Sequence, residues 1–505
     1  MSALPRGKVF LVGAGPGDPG LLTLKAARAI AACDVLVYDY LAAPPIVALA
    51  PPDCERIYVG KKAGAHTLSQ NGISALLIRL AGEGRRVVRL KGGDVFVFAR
   101  GAEEAGALAE AGVPFEIIPG ISSALAAPAY AGIPLTHRAH NTAFTVATGH
   151  EDPTKSASSL DFGKLANPAH TLVLLMAMAN LAGIVERLLA NGLPASTPVA
   201  LVREGTKPQQ ETLVATLATI VAEVERTSFA APAIVVIGEV VRERERIRWF
   251  DNHPLFGKKV LITRPRSDAD ALATKLWELG AEPLVAPIIE IVPPDDAERA
   301  DIAVREARVY HWIVFTSRNG VEAFFDRLSA GGSDARALGD VMVAAIGPKT
   351  AERLMAYGVR ADFVPTRFLG EEVAAGLLER TESGQRILIF RAQEARDVVP
   401  ESLRAQERRV DVVAAYKTVV VRDPAIAAAA QNADIWTFTS PSTVHGLVEN
   451  LPNAAEVARA KTIACIGPIT AQAAHSEGFP VHIVADDYTV DGLLEALETA
   501  GSTAG

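Results

Sequence analysis

The sequence predicts an α/β protein of several lobes with mainly parallel sheets, and three observations carry that expectation. Apolar, β-branched runs alternate with Ala- and Leu-rich helical stretches along all 505 residues, the order that lays helices over parallel strands. Two glycine-rich loops, Gly13-Ala14-Gly15-Pro16-Gly17-Asp18-Pro19-Gly20 and Lys91-Gly92-Gly93-Asp94, directly follow such runs, Val9 to Val12 and Val87 to Leu90. They therefore sit at strand carboxyl ends, where open α/β sheets hold ligands. The third observation is a repeat in the second half of the chain, which divides that half into two similar lobes. A chain of this length makes three or four lobes in all, and 49% hydrophobic with 21% charged residues is ordinary globular composition.

Glycine is required in such loops because a side chain keeps the backbone amides away from a ligand, and an Asp beside them accepts hydrogen bonds from hydroxyls or an ammonium. A small charged ligand bridging the two loops is expected. Gly15, Gly17 and Gly20 also fit G-x-G-x-x-G, and Asp39 closes a second apolar strand, Val35 to Tyr38, where a ribose-binding acid would stand. A Rossmann-type NAD oxidoreductase is therefore one alternative, and two ordinary strand-to-helix turns are another. Pro16 and Pro19 oppose the first, since each removes a backbone donor that a pyrophosphate needs at the helix start.

The N-terminus lacks a charged region followed by an apolar one, and the longest apolar run, Leu172 to Ala179, is far short of the roughly 20 residues that span a bilayer. A cytoplasmic protein without a membrane partner is expected. Cys33, Cys54 and Cys465 lack metal spacing and read as buried structural thiols, so no metal site is expected. A net charge of −8 argues against nucleic acid as partner. An anionic substrate would have to be held by a local cluster, for which Lys61, Lys62, Arg85, Arg86, Arg89 and Lys91 are the candidates; a solvated basic face is the alternative.

A break comes near residue 250, where a charged helical stretch gives way to Asp251-Asn-His-Pro254 and a new strand opens at Lys259. Beyond it, Phe315-Thr316-Ser317 recurs as Phe438-Thr439-Ser440, Ile346-Gly-Pro-Lys-Thr350 as Ile466-Gly-Pro-Ile-Thr470, and Lys259-Val-Leu-Ile more loosely as Arg386-Ile-Leu-Ile. Two lobes facing one cleft follow. Thr and Ser between a strand and a helix cap the helix and add hydroxyls to its exposed amides, a ready site for carboxylates.

These residues resemble two families laid end to end. The first half carries Val-Gly-Ala-Gly-Pro-Gly-Asp-Pro, Tyr38-Asp39, Gly60-Lys61-Lys62, Val88-Arg-Leu-Lys-Gly-Gly-Asp94, Pro119-Gly-Ile-Ser-Ser123, Tyr130-Ala-Gly-Ile-Pro-Leu-Thr-His-Arg138 and Thr148-Gly-His150. It is similar to uroporphyrinogen-III C-methyltransferase of the tetrapyrrole methylase class. The second half, with Phe-Thr-Ser, Ile-Gly-Pro-x-Thr and Tyr416, is similar to uroporphyrinogen-III synthase. The resemblance implies a two-lobed methylase fold over residues 1–250 (lobes about 1–118 and 119–250). It implies a bilobal parallel α/β synthase fold over 257–505, linked near 284–294 and 412–422. The dehydrogenase and ferrochelatase module that precedes the methylase in some sirohaem synthases is not expected here.

The resemblance further implies S-adenosyl-L-methionine as cofactor, lined by Pro16, Gly92, Gly93, Asp94, Val97, Ser122, Ser123, Met176 and Gly205, although Met176 alone also suits core packing. Methyl transfer to two pyrrole carbons of uroporphyrinogen III, giving precorrin-2, needs in-line alignment and one proton removed per transfer. Asp39 is the candidate base and Lys61 its partner, with Arg89, Lys91 and Arg138 placed to meet substrate carboxylates. The synthase reaction closes hydroxymethylbilane with one pyrrole inverted and needs no metal or cofactor. Thr316, Ser317, Thr350, Thr439, Ser440 and Thr470 would grip acetate and propionate groups, and Tyr416 would assist the leaving hydroxyl, unless it is only a buried lobe-linking residue. A bifunctional enzyme of the sirohaem or cobalamin branch, dimeric through its methylase half, is the expectation. A methylase joined to a non-catalytic, ligand-binding regulatory module is the alternative. Two departures from the family pattern, Val95 and Ala99, bear on affinity; Ala99 would be strained if its position requires positive φ.

Overall fold

The computed structural model describes residues 7–60, 68–150, 160–367 and 369–502, apart from the side chain of Ser267. Among the described residues, twenty strands form four five-stranded sheets. The first holds β1 (Lys8–Gly13), β2 (Val35–Tyr38), β3 (Glu55–Tyr58), β4 (Arg86–Lys91) and β5 (Phe115–Ile118), in the order β3-β2-β4-β1-β5. Every pairing in it is parallel. Its central strands are buried on both faces, as their unbroken apolar runs require.

The second sheet, β6 (Ala143–Thr148), β7 (His170–Leu175), β8 (Pro198–Arg203), β9 (Glu211–Thr216) and β10 (Ala233–Ile237), has the order β6-β7-β10-β8-β9. Here only β6 and β7 are parallel; β10 runs antiparallel to both of its neighbours, and β8 and β9 pair antiparallel. The expectation of mainly parallel sheets fails in this lobe, because a short turn rather than a helix joins β8 to β9, and a connection that short permits only antiparallel pairing.

The second half holds β11 (Lys259–Ile262), β12 (Glu282–Val285), β13 (Ile289–Val292), β14 (Trp312–Phe315), β15 (Met342–Ala345), β16 (Arg386–Ala392), β17 (Arg409–Val420), β18 (Ile435–Phe438), β19 (Thr462–Cys465) and β20 (Val481–Val484). One sheet is β12-β11-β18-β19-β20 and the other β13-β17-β16-β14-β15. The repeated motifs occupy equivalent places: Phe315-Thr316-Ser317 ends β14 as Phe438-Thr439-Ser440 ends β18, and β15 and β19 each lead through Gly-Pro into a helix. The long β17 pairs parallel with β16 along its first part and antiparallel with β13 at its end, so it carries the chain from one lobe toward the other. Each lobe has its own aromatic core, Phe315, Phe324 and Phe390 in one and Trp436, Phe438 and Phe479 in the other.

By contacts the chain divides into two compact units. One runs to Lys259 and takes in Lys275–Glu282 and the stretch from Leu497; the other comprises Val260–Thr274 and Pro283–Ala496. Short pieces of the second half thus group with the first, because the chain after residue 252 is bonded to them: Leu255 N–H donates to the Leu279 carbonyl and Gly257 N–H to that of Gly280. Cys33, Cys54 and Cys465 are free and buried. Among the described residues no helix is long and apolar enough to cross a membrane.

Candidate active sites

In the first half, strand register brings the two glycine loops together. Gly13 lies opposite Lys91 in the β1–β4 pairing, so both loops leave the sheet side by side. They bond to each other directly, Gly15 N–H to the Gly93 carbonyl at 3.1 Å and Gly93 N–H to the Gly15 carbonyl at 2.8 Å. The loop after β5 joins them: a Cβ on Gly120 would lie 2.3 Å from the Gly93 carbonyl oxygen, and one on Gly13 2.5 Å from the Gly120 nitrogen. Only glycine permits that approach. Asp94 organises the same corner, accepting from Gly120 N–H at 3.1 Å with one oxygen and from Phe96 and Val97 N–H at 2.8 and 3.2 Å with the other. Its carboxylate is thus engaged by loop amides. Ser122 caps the helix Ser123–Tyr130, while Pro16, Gly92, Gly93 and Ser123 are half-buried and Val97 is exposed.

The second lobe meets this edge. β7 and β8 run in the same direction, both antiparallel to β10, so Met176 after β7 and Gly205 after β8 lie at one sheet edge. Gly205 abuts the helix Ser123–Tyr130, where its Cβ would fall 2.4 Å from that of Ala127. Asp18 of the first loop ties the lobes, taking the Tyr130 hydroxyl at 2.6 Å while its own N–H donates to Thr206 Oγ1 at 3.2 Å. Burial, and then Asp18, pushes the Tyr130 hydroxyl well above its ordinary pKa, so it remains a donor. Met176 is 50% exposed, which removes the core-packing alternative. Five non-glycine residues of these loops have positive φ, Phe98, Arg100, Met176, Glu204 and Thr206. Each such conformation costs on the order of 1–3 kcal/mol and persists where the surroundings impose it, often at functional sites. The left-handed positions flank Ala99 rather than falling on it, so Ala99 carries no such strain, and Val95 is fully buried.

Behind the loops lies a buried charge network. Asp39, at the end of β2, accepts from Arg89 Nη2 at 3.0 Å and from Leu41 N–H at 3.2 Å. Arg89 and Lys91, two apart on β4, point to the same face and converge on Glu104 Oε1, at 3.4 Å from Arg89 Nε and 2.9 Å from Lys91 Nζ; Gln70 Nε2 donates to the same oxygen at 2.9 Å. Burial is the main cause that lowers the Lys91 ammonium pKa. The expectation that Arg89 and Lys91 meet substrate carboxylates is corrected here, since both are buried and spent on Glu104. The basic cluster dissolves as well. Arg85 pairs with Glu55 and Arg86 lies over Phe10, both at the amino end of β4. Lys61 and Lys62 lie outside the described residues. Arg138 is exposed in the turn that precedes β6, at the opposite end of the parallel β6–β7 pair from Met176, so strand polarity separates it from the loops. Nearby, His137, His140 and Glu243 bring ligand atoms within 4.8 Å of one another. Arg246 already holds the second Glu243 oxygen, and Ala139 N–H donates to His137 Nδ1, so protein partners satisfy the group.

In the second half, Ser317 caps the helix Arg318–Ala330 through Gly320 N–H at 3.1 Å and receives the Tyr416 hydroxyl, also at 3.1 Å. Burial raises the Tyr416 pKa, against the pull of Ser317 and Asn319. Ser440 makes no cap bond; its hydroxyl contacts that of Ser442 at 2.9 Å. Thr316 and Thr439 are half-buried, whereas Thr350 and Thr470 are 4% exposed within their helices and present little hydroxyl to a ligand. One Asp268 oxygen accepts both from Arg264, after β11, at 2.9 Å and from Arg318, after β14, at 3.0 Å. The loops after β11 and β14 therefore face each other, and β18 with Thr439 lies beside β11.

Sequence reasoning missed Glu104, Thr206, Arg264, Asp268 and the bonded role of Tyr130. Glu103 and Glu104 both read as acids favourable to a helix start; Glu103 does pair with Arg100 at the surface, and nothing local shows that its neighbour turns inward.

A family model described as Tetrapyrrole (Corrin/Porphyrin) Methylases matches residues 8–221, and one described as Uroporphyrinogen-III synthase HemD matches residues 270–495. The chain is 37% identical over 502 residues to the porphyrin biosynthesis protein HemD of Ruminiclostridium josui, covering 99% of each. The uroporphyrinogen-III C-methyltransferase of Bacillus subtilis is 40% identical over 337 residues, 66% of this chain and 68% of that protein. The S-adenosyl-L-methionine-dependent uroporphyrinogen III methyltransferase of Methanosarcina barkeri is 50% identical over 235 residues, 46% of this chain and 92% of that protein.

Proposed function

The chain belongs to the tetrapyrrole methylases through its first half and to the HemD uroporphyrinogen-III synthases through its second, and we propose that it performs two consecutive steps of tetrapyrrole synthesis. The second half closes hydroxymethylbilane to uroporphyrinogen III, and the first half methylates that product twice to precorrin-2. The observation that carries the methylase reading is the convergence of the loops after β1, β4 and β5, whose glycines leave bare backbone at the edge where the half-exposed thioether of Met176 also lies. That cradle of backbone and a soft apolar side chain fits S-adenosylmethionine, which when bound supplies an electrophilic methyl group.

The chain's own residues do the rest. The loops fix the acceptor, exposed Phe96, Phe98, Tyr40 and Leu41 offer apolar surface to the pyrrole rings, and Asp39, oriented by Arg89, accepts the proton that the macrocycle releases once a fully substituted pyrrole carbon has taken the methyl. Positioning and one base suffice for such a step. In the second half, Ser317, Thr316, Thr439 and Ser440 with their helix amides hold carboxylates. Tyr416, kept protonated by burial, donates its hydroxyl proton toward the leaving oxygen. We place the protein in the cytoplasm, as a homodimer through its methylase half, feeding sirohaem or cobalamin.

Two assays on the intact protein test this reading. Calorimetric titration should show binding of S-adenosylhomocysteine and none of NAD; NAD binding alone would restore the oxidoreductase alternative. Hydroxymethylbilane alone should yield the III isomer. Yield of only the spontaneous I isomer would leave the second half a regulatory module.

A further inference from the structure

We propose that Glu104 is a positioning residue for methyl transfer, fixing Arg89 and through it the carboxylate of Asp39. The proposal rests on the reading of Asp39 as the base. Glu104 is wholly buried, on the helix Gly101–Glu110. Its Oε1 takes Gln70, Lys91 and Arg89, while Oε2 has no hydrogen-bond partner among the described residues. A carboxylate sealed from water is strongly disfavoured unless cations pair with it, and here two do.

The arrangement has a direction. Arg89 presents its guanidinium to three acceptors on three sides: Nε to Glu104 at 3.4 Å, Nη1 to the Leu90 carbonyl at 2.9 Å and Nη2 to Asp39 at 3.0 Å. The Asp39 side chain is 20% exposed, the Glu104 side chain not at all. The chain of ion pairs therefore runs from the sealed interior to the open edge where the loops converge, and ends on the group that must be aimed. Without the Glu104 charge, two buried cations share Asp39 alone, and the guanidinium loses the ion pair that holds it from the inner side. Filling the interior by itself would call for an apolar side chain, which makes neither contact.

The test compares Glu104→Gln, Asp39→Asn and the double variant in the intact protein, reading kcat, KM for uroporphyrinogen III, affinity for S-adenosylhomocysteine and thermal unfolding. Gln keeps the shape and removes the charge. We expect kcat to fall by about tenfold to a hundredfold, the cost of a misplaced catalytic group, with cofactor affinity within about twofold and no further loss when Asp39→Asn is already present. Glu104→Asp, which keeps the charge on a shorter stem, should recover part of kcat, and it carries the comparison with Asp39→Asn if the Gln variant does not fold. Unchanged kcat, losses that multiply with those of Asp39→Asn, or a loss confined to cofactor affinity or stability would overturn the proposal. Full turnover in Asp39→Asn alone would instead overturn the reading of Asp39 as base, so the two failures are distinct.

Discussion

In the methylase half the loops after β1, β4 and β5 touch backbone to backbone, and the charges behind them, Asp39, Arg89, Lys91 and Glu104, are committed to one another. In the synthase half the loops after β14 and β18 carry hydroxyls, Ser317 bonded to its own helix and to Tyr416, Ser440 to Ser442. The charges there, Arg264, Asp268 and Arg318, are more open to solvent. The two reactions account for the contrast. Methyl transfer needs nucleophile, methyl and base in fixed alignment, so its site is over-determined. Closing a cation that reacts readily by itself needs mainly a polar wall that holds one chain conformation, so fewer groups are locked.

The largest difference between the two halves is expected from Asp39→Asn. Loss of a positioned base costs roughly 10² to 10⁴ in rate; methylation measured with supplied uroporphyrinogen III should fall by that much, with closure of hydroxymethylbilane unchanged. Gly120→Ala comes next. Its Cβ, 2.3 Å from the Gly93 carbonyl oxygen, forces the loops apart, and overpacking of about 1–3 kcal/mol corresponds to a loss of cofactor affinity of about fivefold to 150-fold, readable by calorimetry. Equal affinity would show that the loops are not the cradle.

Tyr416→Phe should act more mildly, because one hydrogen bond is worth about 0.5–1.5 kcal/mol. Formation of the III isomer should slow by roughly threefold to tenfold, with methylation untouched. A loss as large as that of Asp39→Asn would mean that the synthase cleft is as tightly determined as the methylase edge.

The smallest effect concerns thiols, one in each half. Burial holds the Cys33 and Cys465 thiols up to about 12, against an ordinary 9.0. Below pH 9 both folded and unfolded thiols are protonated and their contribution to stability is complete. As pH rises from 9 toward 12 the unfolded thiol ionises while the folded one does not, and that stability is lost. Alkylation at pH 8 should therefore be slow at both until unfolding, and the denaturant midpoint at which each reacts, read by peptide mass, reports each half separately. Fast labelling of either in the native protein would contradict its burial.

Much of this was legible in the sequence, for local reasons. The apolar runs gave the strands, glycine spacing gave the loops, and the Phe-Thr-Ser repeat gave the two lobes of the second half. What the residues do to one another was less so. Strand periodicity puts Arg89 and Lys91 on one face, but that this face is covered depends on the helices Gln70–Gly82 and Gly101–Glu110, which supply Gln70 and Glu104. Arg138 follows a motif of the cofactor lobe yet sits at the far sheet edge, because strand direction is a property of topology rather than of the motif. The antiparallel β8–β9 pair was hidden for a similar reason: β8, apolar up to its terminal Arg203, reads like a parallel core strand, and only its partner shows otherwise.

That one chain runs both steps is open to a single assay. Hydroxymethylbilane and methyl-labelled S-adenosylmethionine, incubated with the intact protein and analysed by mass and isomer, test it most directly. A doubly labelled tetrapyrrole of the III series is expected. Unlabelled product, or labelled product only when uroporphyrinogen III is supplied from outside, would contradict it.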